Sequence, residues 1–417
     1  MFFTSAQYTI LHGCYLLANS NRWAIIDERY RGEMMDFDQI IDRRNTESIK
    51  WRAYGEDILP MWVADMDFRS PEPVIQALQE RVSHGIFGYG CPPDDLFEAI
   101  VAHLGKRIHW IVPETDLSLI SGVVTGFTHA IYSLTDPGDR ILIQTPVYPP
   151  ILSAPASAGR ECLHNELFRQ EDGHYEVDFD DFEKKMASGV KLFILCNPHN
   201  PVGKVFNVEE LTRMAKICLK HGTLICSDDI HMDFVYPGKV HTPIASLAPE
   251  ISEKTVTYFA PSKTFNVAGF STSVYVAKDE VMRQHLNNSM QYLLGHPNIL
   301  GLHAARAAYK YGQPWLDELL VYLAGNREYL VDFVTNNFPG VTMWQPDGTY
   351  LGWLDCRALN LKPSPQKFFL KNAQVALNEG CQFGDPGEGF VRINFGCPRT
   401  LLIEGLQRMQ IALDKLN

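Results

Sequence analysis

Thr255-Val-Thr-Tyr-Phe-Ala-Pro-Ser-Lys263-Thr-Phe-Asn-Val-Ala-Gly-Phe270 decides how the rest of the chain is read. Residues 256–259 are apolar or β-branched and predict a buried strand, which Pro261 stops. A Ser-Lys pair follows in the expected loop, and another strand is expected over 271–277, after Gly269. An ammonium group at the end of a buried strand is costly unless it is paired or chemically changed. Covalent capture by an aldehyde cofactor removes the charge and gives the lysine a catalytic use. Taken alone, a lysine in an exposed loop is the commoner reading. The company it keeps elsewhere reverses that.

Upstream, from residue 118, strands alternate with helices. Residues 118–120 lead into Gly122-Val123-Val124 and a helix to Leu134. Strands are expected over 140–143, 191–196 and 223–226. The second ends in Asn197-Pro-His-Asn200-Pro-Val-Gly203, and the third delivers Ser227-Asp228-Asp229-Ile230-His231. Asn207 and Glu210 form a capping-box pair for a helix that closes at Gly222. This alternation predicts an α/β protein with a three-layer, mostly parallel sheet covered on both faces. Ligands sit at the carboxyl ends of such strands, where the unusual polar residues all fall.

Earlier, residues 35–68 include the apolar stretch 58–68 with two acids, Asp65 and Asp67, which suggest a rim or interface as readily as turn-forming aspartates. Ser70 is expected to cap a helix that ends near Gly85. Phe87-Gly-Tyr89-Gly90 places a tyrosine in a glycine-flanked loop, and Leu96, Ile100, Leu104 and Ile108 mark an amphipathic helix. After residue 278 the chain reads as helical to about Asn336. A smaller α+β unit follows, with strands near 341–344, 350–354 and 389–395 and a final helix from about Arg399. The expected divisions are an extension, 1–34, outside the core; a segment, 35–80, packing on the small domain; a large domain, 81–310; and a small domain, 311–417.

The 417 residues carry a formal charge of −12, with 46% hydrophobic and 21% charged residues. That is a globular composition, and the acidic balance argues against nucleic acid or anionic membrane as a partner. The apolar run at 8–18 is too short to span a bilayer. Nine scattered cysteines without a Cys-x-x-Cys pair read as reduced thiols in a cytoplasmic protein, and no metal-binding pattern is read.

A pyridoxal 5'-phosphate site would use these residues in order. Lys263 would attach the cofactor, and Asp228 would face its ring nitrogen. Asn200 would donate to its phenolic oxygen, and backbone N–H groups of Gly122, Val123 and Val124 at a helix start would take the phosphate. Tyr148 would stack on the ring, and Arg392 would fork a substrate carboxylate. Each residue also has an ordinary structural use: a turn for Asn200, a cap for Asp228, core packing for Tyr148, an edge salt bridge for Arg392. Their joint order is what points to the site.

That order resembles the class I/II aminotransferase family of fold-type I pyridoxal phosphate enzymes over residues 35–417. Met61-Trp-Val-Ala-Asp-Met-Asp-Phe68, Phe87-Gly-Tyr89, Ser227-Asp-Asp-Ile-His-Met232, Ser262-Lys-Thr-Phe-Asn266 and Phe390-Val-Arg-Ile-Asn-Phe-Gly-Cys-Pro-Arg399 resemble its MalY/PatB subgroup of cystathionine β-lyases more narrowly. The resemblance implies a homodimer that cleaves L-cystathionine or related cysteine S-conjugates, with a small amino acid as substrate. It implies that Lys263 is the cofactor lysine and the Cα base, that Asp228 is the ring-nitrogen partner, and that His231 lies near the phenolic oxygen. Ser262 would help hold phosphate, and Tyr89 would reach across from the partner subunit. The chain departs from the wider family at Ser271, where many members carry a phosphate-binding arginine, and at Ala260, where serine is common. A true aminotransferase shares every core residue and stays open, as does a regulatory protein-binding role.

Overall fold

A computed structural model of the protein describes residues 14–16, 25–27, 35–290 and 294–416. Of the amino-terminal extension it gives only the short antiparallel pair Cys14–Leu16 and Ile25–Asp27, so the expected placement of 1–34 lies outside the described residues.

The central element is an eight-stranded sheet. Its strands are β1 Leu117–Ile120, β2 Arg140–Thr145, β3 Glu161–Arg169, β4 Tyr175–Val177, β5 Val190–Cys196, β6 Leu224–Asp228, β7 Thr255–Phe259 and β8 Ser273–Ala277. Their spatial order is β1-β8-β7-β6-β5-β2-β3-β4, with β8 and β4 antiparallel to their neighbours and the rest running one way. Strict alternation of side chains explains the three layers. Ile141, Ile143, Ile194, Cys226, Val256 and Tyr258 pack on one face against the helix α3 defined below. Leu142, Phe193, Leu195 and Ile225 pack on the other against α4.

The helices that matter for the site are α1 Glu72–Ser83, α2 Leu96–Ile108, α3 Val123–Leu134, α4 Val208–His221, α5 Ile299–Tyr311, α6 Gln313–Asn337 and α7 Arg399–Asp414. The α4 capping box is formed by both partners, and Gly222 closes the helix in the left-handed region. Downstream, a four-stranded antiparallel sheet runs in the order β9-β10-β12-β11, built from β9 Thr342–Met343, β10 Leu351–Asp355, β11 Asn378–Glu379 and β12 Phe390–Asn394. Trp353 stacks on Phe390 across this sheet at 5.0 Å.

Four local expectations are corrected. Ser70 does not cap α1: Pro71 occupies that position, and the Ser70 hydroxyl donates instead to the Asn266 carbonyl. Strand β6 runs on to Asp228 because both neighbours continue its ladder, Cys196 and Tyr258 each standing opposite Asp228. The Ser262-Lys263 pair lies in a one-turn helix, Pro261–Thr264, rather than an open loop. Strand β8 starts at Ser273, since Ser271 adopts a left-handed backbone (φ 46°) that no strand accommodates. The sequence reading also passed over β3 and the edge strand β4, whose exposed polar residues interrupt the apolar run expected of a buried strand.

Candidate active site

At the carboxyl ends of β5, β6 and β7 the chain leaves a cavity of about 480 Å³. Register explains the convergence: Cys196, Asp228 and Tyr258 lie side by side across three parallel strands, so the loops after them open on one spot. Lining residues include Gly122, Val123, Val124, Tyr148, Asn200, Asp228, His231, Ser262, Lys263 and Arg392, all of the positions the sequence singled out but one. Tyr89 lies outside: its side chain is wholly exposed, 112% relative to an extended reference, in a loop with exposed Ile86 and Phe87.

Lys263 faces the cavity, so solvent reaches it only from that side. The surrounding protein desolvates the ammonium, and burial lowers its pKa to about 8 against the pull of nearby carboxylates. Its Nζ donates to the Ala64 carbonyl at 2.7 Å, and the Tyr350 hydroxyl donates to the same oxygen at 2.8 Å. Asp228 is buried, and its Oδ1 accepts from the Ile230 N–H at 3.1 Å. Burial, which outweighs that hydrogen bond, raises the Asp228 carboxyl to about 7, with the neighbouring Asp229 adding to the rise. Such a group gains from a cation placed in the cavity.

Arg392 on β12 is also buried, and burial pulls its guanidinium down to about 10, still charged at neutral pH. Three acceptors hold it: Asn200 Oδ1 at 2.8 Å, Asn378 Oδ1 at 2.6 Å and the Trp62 carbonyl at 3.0 Å. Its Nε is buried without a partner. Accepting from Arg392 uses the Asn200 amide oxygen and leaves its Nδ2 hydrogens available to another acceptor. His231 is neutral, because burial and then the Lys263 and Arg392 cations drive its pKa well down, and its Nδ1 is buried without a partner. Tyr148 stands at the start of a helix, Pro149–Ser157, with its hydroxyl pKa raised by burial and then by Asp228.

Helix α3 begins at Val123 with no side-chain cap, and Gly122 turns the chain into it at φ 104°, a conformation that disfavours any other residue. Ser121, Gly122, Val123, Val124 and Thr125 all border the cavity, so the uncapped N–H groups and positive helix end face it. Ser262, Ser271, Thr272 and Ser273 lie on the same rim. The set suits a flat anionic heterocycle: phosphate at α3, a ring nitrogen against Asp228, a carbonyl within reach of Lys263.

Sequence reading missed Trp62, the Ala64 carbonyl, Tyr350 and Asn378. The stretch 58–68 did carry a signal in its two acids, but Tyr350 and Asn378 have no local mark, because long-range packing brings them in. A larger open cavity of about 750 Å³ lies on the far side of Trp62 and Asn378 and holds none of the charged groups just described.

The model of the aminotransferase class I and II family matches residues 56–409. The chain belongs to that family. Cystathionine beta-lyase PatB of Bacillus subtilis is 42% identical over 388 residues, covering 91% of this chain and all of the relative. Protein MalY of Escherichia coli is 33% identical, covering 89% and 97%. Among solved structures, cystalysin from Treponema denticola, which contains pyridoxal 5'-phosphate, superposes with a TM-score of 0.89 at 33% identity over 92% of this chain and all of that one. The family membership and the MalY/PatB likeness expected from the motifs are thus both found. Among the described residues, no helix is long and apolar enough to cross a membrane.

Proposed function

We propose that this protein is a pyridoxal 5'-phosphate-dependent carbon–sulfur β-lyase that converts L-cystathionine, or a related cysteine S-conjugate, and water to a thiol, pyruvate and ammonia. The observation that carries the reading is the convergence of Lys263, Asp228 and Arg392, three charged groups from distant parts of the sequence, on one cavity beside an uncapped helix start. The PatB and MalY relationship favours β-elimination over amino transfer.

Lys263, Asp228, Tyr148, Asn200, His231, Ser262 and the start of α3 would hold the cofactor, which when bound supplies a carbonyl for amine attachment and a ring that withdraws electrons from Cα. Arg392 would fix the substrate α-carboxylate by a charge-assisted fork, exchanging one of its amide acceptors for the ligand. That contact orients the Cα–H bond toward Lys263. With its pKa near 8, the lysine amine is within reach of its neutral form at physiological pH and can take the Cα proton as general base. The electron pair released from Cα expels the β-thiolate, whose proton comes back from the site or from water. Asp228 would supply a fixed negative charge opposite the ring nitrogen, and its buried position keeps that interaction strong.

We further read the protein as a cytoplasmic homodimer in which Tyr89 of one subunit completes the site of the other. The support is its full exposure beside apolar Ile86 and Phe87. The test of function is direct. Purified protein is incubated with L-cystathionine and no 2-oxo acid, and pyruvate is measured. Stoichiometric pyruvate and thiol are expected; turnover only when a 2-oxo acid is added would make the protein an aminotransferase instead.

A further inference from the structure

Asp65 and Asp67 look alike in sequence, but the structure separates them. Both oxygens of Asp67 are engaged: Lys50 Nζ lies at 2.6 Å from its Oδ2, and Arg43 Nη1 and Trp51 Nε1 lie at 2.6 and 2.8 Å from its Oδ1. These contacts join the amino-terminal segment to the core. Asp65 is half used. Its Oδ2 meets Arg43 Nη2 at 2.5 Å, while its Oδ1 is shielded from solvent and has no hydrogen-bond partner. A shielded carboxylate oxygen left without a donor costs stability. The residue before it suggests what offsets that, because Ala64 borders the cavity and its carbonyl accepts from Lys263.

The strap 62–68 is pinned so that Asp65 cannot drift from Lys263. Asn394 donates to the Val63 and Asp65 carbonyls, and Arg392 donates to the Trp62 carbonyl. Asn266, three residues after Lys263, accepts from the Met66 N–H and donates to the Met66 and Phe68 carbonyls. Lys263 Nζ itself rests on the Ala64 carbonyl, so the amine sits against the peptide unit that leads into Asp65.

We propose that Asp65, held in check by Arg43, sets the proton affinity of the Lys263 amine and so acts as a positioning residue for the reaction. The inference rests on Lys263 being the cofactor lysine and the Cα base. Lys263 is surrounded by Asp65 from the strap, Asp228 from β6, Arg392 from β12, neutral His231 and the phenol of Tyr350. After burial, which lowers the ammonium, Asp65 is the strongest charge acting on it, ahead of Arg392 and of Asp228. Tyr350, bonded to the same carbonyl, feels Asp65 most among charges as well. When Lys263 takes the Cα proton it becomes an ammonium ion while the C–H electron pair stays with the substrate. With the cofactor bound Asp228 would face its ring nitrogen, so the new cation needs another anion. Asp65 is that anion, and Arg43 limits its strength so that the proton can leave again.

Two substitutions of opposite sign test this. In cofactor-free protein, the rate at which an amine-reactive acylating reagent labels Lys263 is followed against pH by peptide mapping, giving the midpoint for deprotonation. Asp65→Asn is expected to lower that midpoint by about one pH unit and Arg43→Gln to raise it, as follows from removing or unmasking one nearby charge. Arg43→Lys, which keeps the charge, should leave it in place. In the loaded enzyme the limb of the kcat–pH profile that reports Lys263 should move in the same directions. An unchanged midpoint in Asp65→Asn, or shifts of the same sign in Asp65→Asn and Arg43→Gln, overturns the proposal, the second pattern marking a general loosening of the strap. Because labelling needs no cofactor, a protein that never binds pyridoxal phosphate would refute the functional reading while leaving this test intact.

Discussion

Lys263 shows how a single residue links stability to chemistry. An exposed lysine amine has a pKa of 10.5, and burial in the folded, cofactor-free chain lowers that of Lys263 to about 8. Between those values the unfolded chain binds the extra proton, so stability rises with pH across that window and the cost of burial is full only below it. Lys263→Met is therefore expected to make cofactor-free protein more stable at pH 7, by up to roughly 3 kcal/mol, with the gain shrinking to about 1 kcal/mol near pH 9.5. Urea unfolding of both proteins at the two pH values measures this, and a pH-independent difference would contradict a desolvated amine. The same variant should form no coloured adduct with the cofactor and yield no pyruvate. Much at this scale is legible in sequence. A lysine after a buried strand, an aspartate closing another and an arginine inside an apolar one are each out of place, and charges in apolar surroundings need a reason.

Among the elements, α3 carries the heaviest constraint. It must bring its uncapped start to the cavity while lying close to β7, and Gly126 permits the approach: a Cβ there would stand 2.4 Å from Cδ1 of the fully buried Tyr258. Gly126→Ala would gain up to about 1 kcal/mol in helix propensity, but forcing a methyl group into a rigid ring costs typically about 1–3 kcal/mol. The clash is expected to win. Chemical denaturation should show a net loss of stability, and cofactor titration a weaker complex as the start of α3 tilts away; an unchanged midpoint would mean the two layers can part without cost. The helix itself was legible, because Gly122 and the apolar period announce it. Its clearance from Tyr258 was not, since that depends on a strand more than a hundred residues later.

The whole molecule raises a different question, because one chain leaves Tyr89 pointing into solvent. If the partner subunit supplies it, mixing two inactive proteins restores function. Lys263→Ala and Tyr89→Ala dimers, unfolded together and refolded in equal amounts, should regain roughly a quarter of wild-type activity, since half the dimers are hybrids with one intact site each. Pyruvate release after mixing measures it, and no recovery would place Tyr89 outside the partner's site.

Local sequence alone determined the alternation of strands and helices, the placing of Asp228 and Asn200 near the carboxyl ends of two of those strands, and the lysine on which the proposed chemistry turns. These are short-range matters: side-chain period, turn-forming residues and the cost of isolated charge act over a few positions. Only the tertiary structure decided which residues surround that lysine. Ala64 lies 199 positions away from it, and Arg392 meets Asn200 across 192. It likewise separated Asp65 from Asp67, two acids with the same local surroundings, by giving Asp67 three side-chain donors and Asp65 only one.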